Sequence, residues 1–224
     1  MNVGAELTNF YKTISKPKKL PKGVELLFPF DDQNTLAAIE AFYGKYFSDD
    51  KKRVLMLGIN PGRFGGGVTG IPFTAPEKLT NDLGIAHNFE SRGELSSQFI
   101  YEMIHHLGGP DHFYSHFLIS SVCPLGFVKE GKNLNYYDIK TLQDMLEKYM
   151  VENIRWHLET VAHNEVIFSI GQGKNVKYLE YLNKKYQLFG EVVALPHPRW
   201  ILQYRRKRKD EFLDLYREKL SEVR

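Results

Sequence analysis

Apolar residues follow two rhythms along this chain. In the first, short continuous runs stop at glycine or proline: 53–59, 116–122, 165–170 and 191–195. Runs of that length suit strands buried on both faces of a parallel sheet. In the second, apolar positions recur every three to four residues, which predicts helices over 4–14, 33–47, 94–107, 138–163 and 203–222. Another helix follows the third strand to about residue 186. Phe99, Met103 and Leu107 share one face of the 94–107 helix, and Gly108, Gly109 and Pro110 end it. Ile139, Leu142, Leu146, Tyr149 and Ile154 mark the buried stripe of the long helix. Asp31 or Asp32 can cap the helix at 33–47. The stretch 16–30 is Pro/Lys-rich and reads as extended, and 75–94 is a polar connection without periodicity.

Strands alternating with helices predict an α/β fold: three layers, α/β/α, around a central four-stranded, mostly parallel sheet. We find no repeat or linker, so residues 1–224 are expected to form a single domain. In such a sheet the strand tips share one edge. That brings Asn60, Ser121 and His197 near one another although they are distant in sequence.

The first strand runs into a loop of unusual composition. Pro61, Gly62, Gly65, Gly66, Gly67, Gly70 and Pro72 fall within residues 61–72, a density that excludes regular structure. Glycines let a backbone approach a ligand closely, and ligands of open α/β sheets sit at strand tips. Gly65, Gly67 and Gly70 spell G-x-G-x-x-G, but the pattern starts past the strand end and Pro72 follows it where a dinucleotide site would open a helix. No Gly-Lys-Ser/Thr closes the loop, which excludes a phosphate-binding P-loop.

Composition narrows the partner. The single cysteine, Cys123, excludes an internal disulfide and a Cys-rich metal or iron–sulfur site. No secretory signal and no membrane-length apolar run is present, so cytoplasm or nucleoid is the expected compartment. Net charge is only +3, but its distribution is uneven. Lys12, Lys16, Lys18, Lys19 and Lys22 form one basic segment, and Arg199 with Arg205, Arg206, Lys207, Arg208 and Lys209 forms another. Localised charge suggests an anionic partner such as a phosphate backbone, with a solvated basic face as the bland alternative.

Gly58-Ile-Asn-Pro-Gly62 and the following FGGGVTGIPF resemble motif one of the single-strand-selective monofunctional uracil-DNA glycosylases, a branch of the uracil-DNA glycosylase superfamily. His197-Pro198 after an apolar strand resembles the family's second motif. Leu83-Gly84-Ile85, Cys123-Pro124-Leu125 and Gly131-Lys132-Asn133-Leu134 echo it between, over about residues 53–200. Two positions depart. Ser120-Ser121 stands where the family has His-Asn, whose Asn reads the base edge. Arg199 follows Pro198 directly where the family has a Ser-Pro step. A serine hydroxyl makes a simpler contact than an amide, so xanthine or another deaminated base joins uracil as an expected substrate.

The resemblance implies a DNA-repair glycosylase that hydrolyses the N-glycosidic bond of a base flipped out of the helix or already single-stranded. Asn60 would position the attacking water and His197 would stabilise the departing base; both are the expected catalytic residues. Phe73 would be the stacking platform, with Gly62, Phe64, Gly65, Gly66 and Ser121 around the base. Arg199, Trp200, Arg205, Arg206, Lys207 and Arg208 would hold DNA, single- or double-stranded. The bland readings are an Asx turn with Pro61 for Asn60, a structural histidine for His197, and core aromatics for Phe73 and Trp200. No lysine in either motif offers a Schiff-base nucleophile, so the course is expected to be monofunctional, with no metal or cofactor. His105, His106, His112 and His116 lack a matching carboxylate or cysteine pattern and are read as incidental. A monomer is expected. A non-catalytic nucleic-acid-binding protein on the same fold would keep the basic patches and turn nothing over. A hydrolase of free nucleosides would need no basic patch.

Overall fold

The computed structural model describes residues 2–223. Its helices are α1 (Val3–Thr13), α2 (Gln33–Tyr46), α3 (Gly66–Thr69), α4 (Pro76–Asn81), α5 (Leu95–His106), α6 (Pro110–Tyr114), α7 (Lys140–Thr160), α8 (Lys174–Tyr186), α9 (Pro198–Tyr204) and α10 (Lys209–Ser221). Its strands are β1 (Glu25–Leu27), β2 (Arg53–Gly58), β3 (Phe117–Ser121), β4 (Gly126–Lys129), β5 (Lys132–Leu134), β6 (Ala162–Ile170) and β7 (Glu191–Leu195).

The four apolar runs form one parallel sheet in the order β3-β2-β6-β7, with helices packed around it. Leu55, Met56 and Leu57 of β2 are fully buried, as a strand covered on both faces requires. Burying such side chains contributes roughly 1.5–3 kcal/mol each. Register sets Gly58 beside Ser121, and Ile170 beside Leu195. All four strands point the same way, so their tips lie along one edge. Asp32 caps α2, accepting from the Thr35 N–H at 3.2 Å.

The structure corrects four expectations. First, β1, β4 and β5 form a second, antiparallel sheet, and β1 lies inside the stretch read only as extended. Second, the polar connection holds α4, begun by Pro76 in its first turn, where a missing N–H costs nothing. Third, the Gly-rich loop is not wholly irregular, because residues 66–69 make a single helical turn. Fourth, the last helix is two. α9 starts at Pro198 and ends at Arg205, which leaves helical geometry at φ −133°. A 3-10 turn over Arg206–Arg208 leads into α10.

Candidate active site at the carboxyl edge of the sheet

A cavity of about 420 Å³ opens at the strand tips, within the range of small-molecule sites. Asn60, Gly62, Gly65, Gly66, Phe73, Ser121, His197, Arg199 and Trp200 all line it. Residues from the tips of β2, β3 and β7 therefore meet here, as the parallel topology dictates.

Asn60 is gripped through both ends of its amide. Its Oδ1 accepts from the Tyr136 N–H at 3.0 Å, and its Nδ2 donates to the Leu134 carbonyl at 3.2 Å. The contact with the Pro61 carbonyl is longer, 3.4 Å. The side chain is thus fixed mainly against the loop after β5, and the Asx turn is secondary. A carbonyl oxygen has two lone pairs, so Oδ1 retains one for a further donor.

His197 is the N-cap of α9. Its Nδ1 accepts from the Arg199 N–H at 3.2 Å. That bond assigns the tautomer: with Nδ1 as acceptor, the neutral ring carries its proton on Nε2. Burial, with the Arg199 charge as a smaller cause, lowers the His197 pKa to about 4. The imidazole is therefore a neutral donor at physiological pH. Tyr216 of α10, wholly buried, donates to the Pro196 carbonyl at 2.5 Å and fixes the peptide just ahead of His197.

Phe73 lies 6.2 Å from His197, ring centre to ring centre. Its φ is +54°, a rare conformation for a bulky residue. Thr69 Oγ1 donates to the Thr74 carbonyl at 2.7 Å, and the Thr74 and Tyr101 hydroxyls bond at 2.9 Å, so the strained segment is held firmly just past Phe73. The ring also explains Gly58. A Cβ there would come within 2.5 Å of Phe73 Cε2. At Gly171, on the β6 tip, φ is +140°, which an L side chain rarely adopts; its backbone lies beside His197.

Five expected residues lie outside the cavity. Phe64 does not line the cavity: it lies under two guanidiniums, Arg63 at 4.5 Å and Arg92 at 5.5 Å. Arg205 stacks over Trp200 at 5.0 Å and does not line the cavity. Arg208 makes three hydrogen bonds to the Glu211 carboxylate, so its charge is already met. Arg206 and Lys207 are exposed outside the cavity, and Trp200 and Tyr204, 41% and 60% exposed, stand at its rim. The Gly65 and Gly67 amides both donate to the Gly62 carbonyl, which removes them from the donors open to a ligand.

Asn133, Asn135, Tyr137, Gln172, Glu94 and Tyr204 also line the cavity and were not among the expected site residues. The first three follow from the β4–β5 hairpin, which carries no local period strong enough to reveal it. Cys123 is buried and its thiol is pushed up to about 12, so it offers no thiolate. Among the described residues, no lysine lines the cavity and no group of three or more His, Cys, Asp or Glu is placed to hold a metal.

The model of the Uracil DNA glycosylase superfamily matches residues 45–221. The chain belongs to that superfamily. The crystal structure of wild-type SMUG2 from Pedobacter heparinus is similar to it at a TM-score of 0.95 and 40% identity, over 100% of this chain and 98% of that one. The single-strand selective monofunctional uracil-DNA glycosylase of Rattus norvegicus is 30% identical over 43% of this chain and 41% of that protein. The match thus spans about two fifths of the rat relative's length. These likenesses place the chain in the SMUG-like branch of the superfamily.

Proposed function

We propose that this protein, acting as one domain, is a monofunctional DNA N-glycosylase that releases uracil, and xanthine beside it, from DNA and leaves an abasic site. The observation that carries the reading is the meeting of Asn60, Phe73 and His197 around one cavity, with His197 neutral and its Nε2 proton-bearing. The superfamily match and the solved SMUG2 structure support the same activity.

The target nucleotide is flipped into the cavity and its base stacks on Phe73. As the bond to C1′ breaks, the base leaves with the bonding electrons and its carbonyl oxygen gathers negative charge. The His197 Nε2–H donates to that oxygen, in a site that holds the imidazole uncharged. Donors aimed at developing charge are worth roughly 3–4 kcal/mol. A water held by the free lone pair of Asn60 Oδ1 adds to C1′ and gives up its proton. The departing base anion is protonated from solvent, which balances the hydrolysis. Among the described residues no lysine lies along the cavity wall, which fits a water nucleophile.

Ser121 takes the place of a base-reading amide. It is 3% exposed and lines the cavity. Its short hydroxyl leaves more room than an amide and demands less of the base edge, which favours accepting a purine lesion. Trp200 and Tyr204 stand ready to occupy the vacated stack, and Arg199, Arg205, Arg206 and Lys207 meet phosphates.

A single-turnover assay on oligonucleotides carrying one uracil or one xanthine, with abasic sites cleaved by alkali, tests this. Release of both bases is expected. Absence of any product at excess enzyme would leave a DNA-binding protein without activity.

A further inference from the structure

The hydrogen bonds of Asn60 lead away from the cavity into buried polar groups that the proposed chemistry does not use. Its acceptor contact comes from the backbone of Tyr136. The hydroxyl of the same tyrosine donates to Asn175 Oδ1 at 2.8 Å. Asn175 Nδ2 donates to Ser169 Oγ at 3.0 Å, and Ser169 Oγ donates to the Gly171 carbonyl at 2.8 Å. Tyr136, Asn175 and Ser169 are all fully buried. The chain of bonds thus starts at one wall of the cavity, passes beneath it and returns at Gly171, beside His197.

Three features make this more than routine pairing of buried groups. It joins the β2 tip, the loop after β5, the first turn of α8 and the β6 tip, which no local sequence preference brings together. Both polar ends of Asn60 rest on the 134–136 backbone, so the position of that backbone decides where the amide points. And the hydroxyl of Tyr136 is what ties that loop down to α8. A fully satisfied buried network of this kind fixes one geometry, because each unpaired alternative costs the desolvation of a polar group.

We propose that Tyr136 and Asn175 are positioning residues for base release: they hold the Asn60 amide, and with it the attacking water, in register with the His197 side of the cavity. This rests on the reading of Asn60 as the water-positioning residue. It concerns residues outside the cavity and outside both sequence motifs.

Tyr136→Phe removes one oxygen and keeps the ring. Measured under single turnover with saturating enzyme, it should slow uracil release about tenfold or more, the scale on which small displacements of reacting groups act. Affinity for the same oligonucleotide should stay within about twofold, because neither residue faces the cavity. The sharper readout is a double-mutant cycle. If Tyr136 acts through Asn60, Tyr136→Phe placed in an Asn60→Ala background should cost almost nothing further. Losses that multiply in the cycle, or an unchanged rate in the single variant, would overturn the proposal. Ser169→Ala cuts the same chain at its last link and carries the same expectation. It serves if thermal unfolding shows that Tyr136→Phe has lost the fold. A wild-type enzyme that releases no base would end the functional reading instead, so the two failures are distinct.

Discussion

At its carboxyl edge the sheet holds a cavity of about 420 Å³, and at its amino edge a second hollow of about 490 Å³ lies among Lys52, Arg155, Glu159, His163, Glu165 and Gln187. The two are close in size and opposite in equipment. At the carboxyl edge the strands stop abruptly, so Asn60, Ser121 and His197 project from fixed backbone into a shared space. At the amino edge, among the described residues, the one charged side chain with a bonded partner serves neighbouring backbone. Lys52 Nζ donates to the Leu158 and Glu159 carbonyls, where a cation stabilises the end of α7. Hollow volume alone does not make a site; side chains held in place and aimed into it do.

A pair of histidines makes the contrast finer. Burial takes both His197 and His157 to about pKa 4. His157 sits in the last turns of α7 with Nδ1 bonded to the Asn153 carbonyl at 2.8 Å. A carbonyl only accepts, so Nδ1 carries the proton there, the reverse of His197. One shift, with one main cause, yields opposite tautomers, because the backbone group each ring meets differs.

The largest expected effect breaks the symmetry of the two edges. His197→Ala and Asn60→Ala should each lower single-turnover base release by roughly 10²–10³, while Arg155→Ala at the amino edge leaves the rate unchanged. Equal losses at both edges would remove the role assignments. Next comes the histidine pair. His157 binds its proton only near pH 4 when folded and near 6.5 when unfolded. Stability should therefore fall as pH drops from 6.5 towards 4, by up to about 3 kcal/mol from this residue, and level off below. Urea unfolding against pH checks this, and His157→Phe should flatten that part of the curve. Third, Gly58→Ala should force the Phe73 ring aside and slow release about tenfold with little change in melting temperature. The smallest effect is electrostatic. Arg206→Ala and Lys207→Ala should each reduce the salt slope of DNA binding by about one. Arg208→Ala should do less, because Glu211 already holds that charge, and Lys52→Met should do nothing.

The parallel sheet was legible because each of its strands is a short apolar run cut off by glycine or proline, a signal that is complete within ten residues. The antiparallel sheet was not. β1 is three residues in a lysine-rich stretch, and its partner β4 lies about a hundred positions away, so only the folded chain supplies the reason for pairing. The break between α9 and α10 was hidden for a different cause: Arg205 to Lys209 are good helix formers, and nothing local interrupts them. In the site, Asn60, Phe73 and His197 could be read because each stands beside a backbone-restricting proline or at a strand tip. Tyr137 and Asn135 could not, since their approach depends on the β4–β5 hairpin. Phe64 fitted its motif and yet lies outside the cavity, occupied by two arginines.

If His197 acts as proposed, the hydroxyl of Tyr216 gives the far end of the polypeptide a share in the reaction. Every residue proposed to touch the damaged nucleotide precedes α10, so a chain cut after Arg208 keeps both sequence motifs. It would lose the peg under Pro196, and the imidazole that depends on that peptide would drift. A shortened copy of this protein would then carry both motifs and, on the proposed role of His197, release no base.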